Sequence, residues 1–70
     1  MKIQFIITND FGEIRGQILE NVTPEQYEVL INAAKQFYMS GFELHTENGF
    51  VVLSPEITKR SMLTINIIEN

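Results

Sequence analysis

No cysteine occurs in this chain, and that absence removes two ways of holding a small fold together. A disulfide cannot form, and with His45 as the only histidine a structural zinc site lacks its usual ligands. Oligomerisation is the remaining common support for so small a core. A 70-residue chain without staples is therefore expected to be a homodimer. The missing cysteine also fits a reducing compartment, so a cytoplasmic location is expected.

Long hydrophobic runs are missing as well. No stretch approaches the ~20 apolar residues of a membrane helix. Met1-Lys2-Ile3 opens directly into strand-like alternation, without the apolar segment and small-residue cleavage site of a secretory signal. Asn21-Val22-Thr23 matches the glycosylation sequon, but Pro24 follows it, and these residues read better as a helix start. Basic residues are scarce: five against nine carboxylates, a net charge of −4. That disfavours direct binding of nucleic acid, which calls for a basic face, and of an anionic membrane surface. It suits a basic protein partner.

Catalytic side chains are equally thin. His45 alternates with Leu44 and Thr46 and has no serine nearby in sequence to activate, so it reads as a surface strand residue. Asp10-Phe11-Gly12 spells the metal-binding tripeptide of protein kinases, but 70 residues leave no room for the rest of a kinase. The glycines at 12, 16, 41 and 49 form neither a dinucleotide fingerprint nor a phosphate loop. No enzymatic activity and no cofactor or metal is expected.

What is present is regular alternation. Ile3, Phe5 and Ile7 share one side of a strand over residues 2–8, with Lys2, Gln4, Ile6 and Thr8 on the other. Asn9-Asp10-Phe11-Gly12-Glu13 is turn chemistry, and residues 14–21 read as a second strand with Ile14 and Ile18 on the apolar side. Thr23-Pro24-Glu25-Gln26 is the clearest local signal: a cap, proline at the first helical position, and glutamine three residues after the cap. The helix is expected to run to about Met39, with Tyr27, Leu30, Ile31, Ala34, Phe37 and Tyr38 as its apolar stripe. Gly41 would end it. Residues 42–46 and 50–53 read as a hairpin around Asn48-Gly49. A polar connection over 56–61 leads to a last strand over 62–68.

The expected architecture is one α+β domain over residues 1–70, ordered β-β-α-β-β-β, with one helix packed on a mainly antiparallel sheet. The helix covers one sheet face. The other would carry Gln4, Arg15, Gln17, Asn21, Thr64 and Asn66, together with Ile6, Leu19, Met62 and Ile68. Those four apolar residues are more than a free face needs, and they form the candidate self-association patch.

The carboxylates supply the other candidate site. Asp10 and Glu13 share a turn. Glu25 and Glu28 stand on the first helical turns, about 5–6 Å apart, where they also complement the helix dipole. Glu43 and Glu47 fall on one side of a strand, roughly 13 Å apart. In length, charge, lack of cysteine and lack of catalytic residues, the whole chain resembles the short acidic proteins that bacteriophages make early in infection. The resemblance is one of class and rests on no motif. Such proteins are compact and enzymatically inert, and each binds one host protein. Some stand in for DNA on the basic surface of a nucleic-acid-binding protein, such as a histone-like nucleoid protein. The resemblance implies a homodimeric inhibitor in the host cytoplasm, with Asp10, Glu13, Glu25, Glu28, Glu43 and Glu47 taking the place of phosphates. Strong DNA mimics are more acidic than this chain. The competing expectation is a structural or regulatory module that assembles through the apolar residues of its free sheet face, with no mimicry.

Overall fold

The computed structural model describes residues 1–70 and has an α+β architecture. Its elements are β1 (Lys2–Asn9), β2 (Gly12–Arg15), α1 (Pro24–Lys35), α2 (Phe37–Ser40), β3 (Phe42–Thr46), β4 (Gly49–Leu53), α3 (Pro55–Thr58) and β5 (Met62–Glu69). Strand β1 is central in an antiparallel sheet of order β2-β1-β5, and β3 pairs with β4 in a separate antiparallel hairpin. Two short helices, α2 and α3, join the single one expected.

Period-2 alternation sets β1. Ile3, Phe5 and Ile7 are buried on one face, while Lys2, Gln4 and Ile6 are half-buried on the other. The Asn9 side-chain oxygen accepts from the Phe11 amide at 2.9 Å, closing the turn into β2.

Beyond Arg15 the second strand departs from simple alternation. Ile14 pairs with Ile7 and Arg15 with Ile6, but Leu19 then pairs with Ile3. Five residue steps on one strand match four on the other, so one extra residue is accommodated as a bulge between Gly16 and Ile18. A one-residue slip exchanges the faces of everything beyond it. Leu19 therefore points into the covered side and packs on the core, and Ile18 points out, 48% exposed. Simple alternation predicts the reverse, with Ile18 under the helix and Leu19 on the free face.

The bulge also joins the two hairpins. The Gly16 amide donates to the Phe5 carbonyl and the Gln17 amide to the His45 carbonyl of β3, both at 2.8 Å. A Cβ on Gly16 would lie 2.7 Å from Leu44 Cδ1 and 3.2 Å from the His45 carbonyl oxygen, so β3 approaches closely enough that any side chain here would displace Leu44.

Helix α1 starts as its capping residues dictate. Thr23 Oγ1 accepts from the Gln26 amide at 3.1 Å, and Gln26 Oε1 accepts from the Thr23 amide at 2.9 Å. Asn21, at φ 57, turns the chain from the strand into this cap. The helix ends at Lys35, earlier than its periodicity predicts. The Gln36 amide turns to the Ala33 carbonyl in a tighter bond, and α2 restarts the chain with Phe37 aimed inward.

Phe37 is fully buried and meets Phe42 edge-on at 5.4 Å between ring centres, and Phe42 in turn meets Phe5 at 5.8 Å. The core is Ile3, Phe5, Ile7, Val22, Phe37, Leu44 and Leu53. None of these comes from α1, whose Tyr27, Leu30, Ile31 and Ala34 are only half-buried. The long helix rests on the sheet without sealing it, and Tyr38, placed on the stripe by periodicity, is exposed.

The expected polar connection after β4 contains α3. Pro55 opens it, buried Thr58 donates to the Pro55 carbonyl at 3.2 Å, and Ser61 donates to the Ile57 carbonyl at 2.7 Å. Asn9 donates to Ser61 Oγ at 3.1 Å, fastening the end of β1 to the start of β5. Strand β5 then runs antiparallel to β1, from Met62 opposite Thr8 to Ile67 opposite Ile3, with a shift at Ile68 that brings Glu69 opposite Lys2.

Candidate interaction surfaces

The six carboxylates singled out in the sequence do not share one face. Asp10 lies in the β1–β2 turn and Glu13 just beyond it. Glu25 and Glu28 lie at the opposite end of β1, because the Met1 ammonium bonds the Val22 carbonyl at 2.8 Å and so holds the start of α1 beside the start of that strand. Eight-residue β1, about 23 Å long at ~3.3 Å per residue step, thus runs between the turn that holds Asp10 and the strand end beside which α1 begins. Glu43 stands on β3, whereas Glu47 has left the strand and sits in the β3–β4 turn.

Many of the charges are answered within the chain. Asp10 is 3.5 Å from Arg60, Glu13 is 2.8 Å from Arg15, and Glu43 is 4.0 Å from His45. Lys2 lies 3.4 Å from Glu20 and 3.8 Å from Glu69. Five of the nine carboxylates thus have a basic neighbour, and Glu25, Glu28, Glu47 and Glu56 have none. All these pairs are partly exposed to water, where an ion pair contributes little. No three His, Asp or Glu side chains converge where they could hold a metal ion.

The free face of the three-stranded sheet is largely polar. Ile6 is half-buried between Arg15 and Thr64, Gln4 pairs with Asn66, and Lys2 is flanked by its two glutamates. Of the four residues expected to form a self-association patch, Leu19 belongs to the covered side. Met62 lies at one end of β5 and Ile68 at the other. On β3 and β4 the open face presents His45, 5.7 Å from Phe50 between ring centres, and Val52 beside Glu43.

Apolar grooves run along both flanks of α1. Toward the bulge, a groove of about 280 Å³ runs between the helix and β3, walled by Phe5, Leu19, Leu30, Ala33 and Phe42. It opens onto Ile18 and Val29, the latter 67% exposed. Toward β5, Ile31, Ala34, Tyr38, Leu63 and Ile65 line a second apolar groove. Both exist because α1 ends at Lys35 and presents only a half-buried stripe to a sheet wider than itself. Sequence periodicity identifies the stripe correctly but carries no information on how far the helix overhangs the sheet. Comparison with protein-family models, with curated proteins and with solved structures finds no match to this chain.

Proposed function

We propose that this protein is a small non-enzymatic interaction module that works through its apolar surface. The observation that carries this is a contrast. Large apolar side chains stand exposed on the helices and on β5: Val29 on α1, Tyr38 and Met39 on α2, and Met62, Ile67 and Ile68 on β5. The carboxylates, meanwhile, are dispersed over both ends of the molecule, and four of them already face the chain's own lysine and arginine side chains. Apolar surface gathered beside grooves is the usual mark of a protein interface.

A second function is favoured by the free carboxylates Glu25 and Glu28 at the start of α1 and by the net charge of −4. It is the acidic decoy: an inhibitor that occupies the basic surface of a nucleic-acid-binding host protein, its charge doubled in a homodimer. Glu47 and Glu56 would add to that field. Asp10, Glu13 and Glu43 would exchange weak internal pairs for the partner's cations.

Capture of partners from nuclease-treated bacterial lysate by the tagged protein, eluted first by a salt step and then by denaturant, separates the two. The apolar module releases its partner only in the second step. Release by salt of a basic protein that competes with DNA would instead establish the decoy, because opposed surface charges are screened within about 10 Å at 0.1 M salt.

A further inference from the structure

We infer that two copies of this chain pair antiparallel through the open edge of β5, extending the β2-β1-β5 sheet across a twofold axis centred on Ile65. This rests on the apolar-surface function proposed above and names its partner.

The backbone directions follow from β1. Ile3 exchanges both of its hydrogen bonds with Leu19, at 3.0 and 2.9 Å, and the Phe5 carbonyl accepts from Gly16. The odd residues of β1 therefore direct their backbone groups toward the β2 side. By alternation Gln4, Ile6 and Thr8 direct theirs toward β5. Their partners Asn66, Thr64 and Met62 are thus the hydrogen-bonded residues of β5. Leu63, Ile65 and Ile67 consequently aim their amides and carbonyls away from β1, at an edge with no strand beside it. None of the backbone bonds formed outside the helices and strands reaches them.

Soluble proteins blunt such edges with lysine, proline or an inward charge. From Met62 to Ile68 this strand has no charged residue and no proline, and its only irregularity is the shift at Ile68. The edge of β4 is a poorer template. His45 directs its carbonyl to Gln17, so by the same alternation only Phe50 and Val52 are left outward on β4, just before Pro55.

The β5 edge is also self-complementary. Centred on Ile65, the twofold sets Leu63 opposite Ile67 of the second copy on the covered face, so an aliphatic ladder continues the row beneath α1. On the free face it sets Thr64 opposite Asn66 and Met62 opposite Ile68. No like charges meet. The groove between α1 and β5, lined by Ile31, Ala34 and Tyr38, borders the same edge and is narrowed by the added strand.

The test uses cross-strand charge at Thr64 and Asn66, both exposed on the free face, where substitution leaves the β1 pairing intact. The T64K/N66K variant places like charges opposite each other twice across the axis. The T64K/N66E variant places opposite charges there. Sedimentation equilibrium over a concentration series reads the mass, and circular dichroism checks that each variant is folded. The expected result is wild-type protein at about 16 kDa, twice 8.1 kDa. T64K/N66K should dissociate with a dimer Kd raised on the order of tenfold or more, and T64K/N66E should remain dimeric. Amide exchange adds a readout: in the dimer Leu63, Ile65 and Ile67 are protected like Met62, Thr64 and Asn66. A monomeric wild type overturns the pairing, as does a dimer in which both folded variants behave alike or the edge amides exchange freely. A monomer would still leave the apolar surface to a different protein, which the lysate capture tests separately.

Discussion

Replacing Ile18 and Leu19 one at a time with alanine separates two versions of this fold that differ by a single residue of register. Each substitution removes three carbons, worth about 0.8 kcal/mol apiece when fully buried. Leu19 is mostly buried, packs on the core and lies opposite Ile3, so Leu19→Ala should cost about 2 kcal/mol. Ile18 is 48% exposed at the mouth of a groove, so Ile18→Ala should cost no more than about 1 kcal/mol. Alanine is a poorer strand former at both positions, and that loss cancels in the comparison. Urea denaturation at fixed protein concentration is the assay, since association would otherwise add a concentration-dependent contribution. With a slope near 1 kcal/mol/M for so small a chain, the midpoint should fall by about 2 M for Leu19→Ala and by 1 M or less for Ile18→Ala. An Ile18→Ala shift equal to or larger than that of Leu19→Ala would show that no bulge intervenes and that the regular alternation holds.

Two further substitutions probe neighbouring features. Gly16→Ala should destabilise by about 1–3 kcal/mol, seen as a lower urea midpoint, because the added methyl meets Leu44 with the His45 and Phe5 carbonyls close behind; an unchanged midpoint would mean that β3 does not press on the bulge. Phe37→Ala should cost about 3–5 kcal/mol, enough to unfold much of the population at 37 °C, since Phe37 is the fully buried ring that joins α2 to Phe42; a loss under 1 kcal/mol, read by the same denaturation assay, would place the core elsewhere.

Much of the candidate site was hidden in the sequence for identifiable reasons. The carboxylates were visible as residues, but their pairing was not: Asp10 meets Arg60 across fifty positions, a contact created by α3 folding back to the β1–β2 turn. Simple alternation puts Leu19 on the free sheet face, whereas the bulge turns Leu19 to the covered side and Ile18 outward. The open edge of β5 has no signature of its own. A strand with alternating Leu63, Ile65 and Ile67 reads the same whether it is central or at an edge, and only the strand order distinguishes the two.

The features determined by sequence alone are those whose interactions close within a few residues. The Thr23–Gln26 capping box spans three positions. The Asn48-Gly49 turn lies where the β3–β4 hairpin reverses. The alternation of β1 and β5 needs only the pleat of an extended chain. Tertiary structure decided the rest. The bulge at Gly16 depends on the His45 carbonyl being there to accept the Gln17 amide. The break at Gln36 occurs with no proline or glycine to announce it, where Phe37 turns toward Phe42 and the core. Which apolar residues remain exposed follows from how far a twelve-residue helix reaches across the sheet beneath it. Each of these outcomes requires a partner distant in sequence, and no local pattern records where that partner will come to lie.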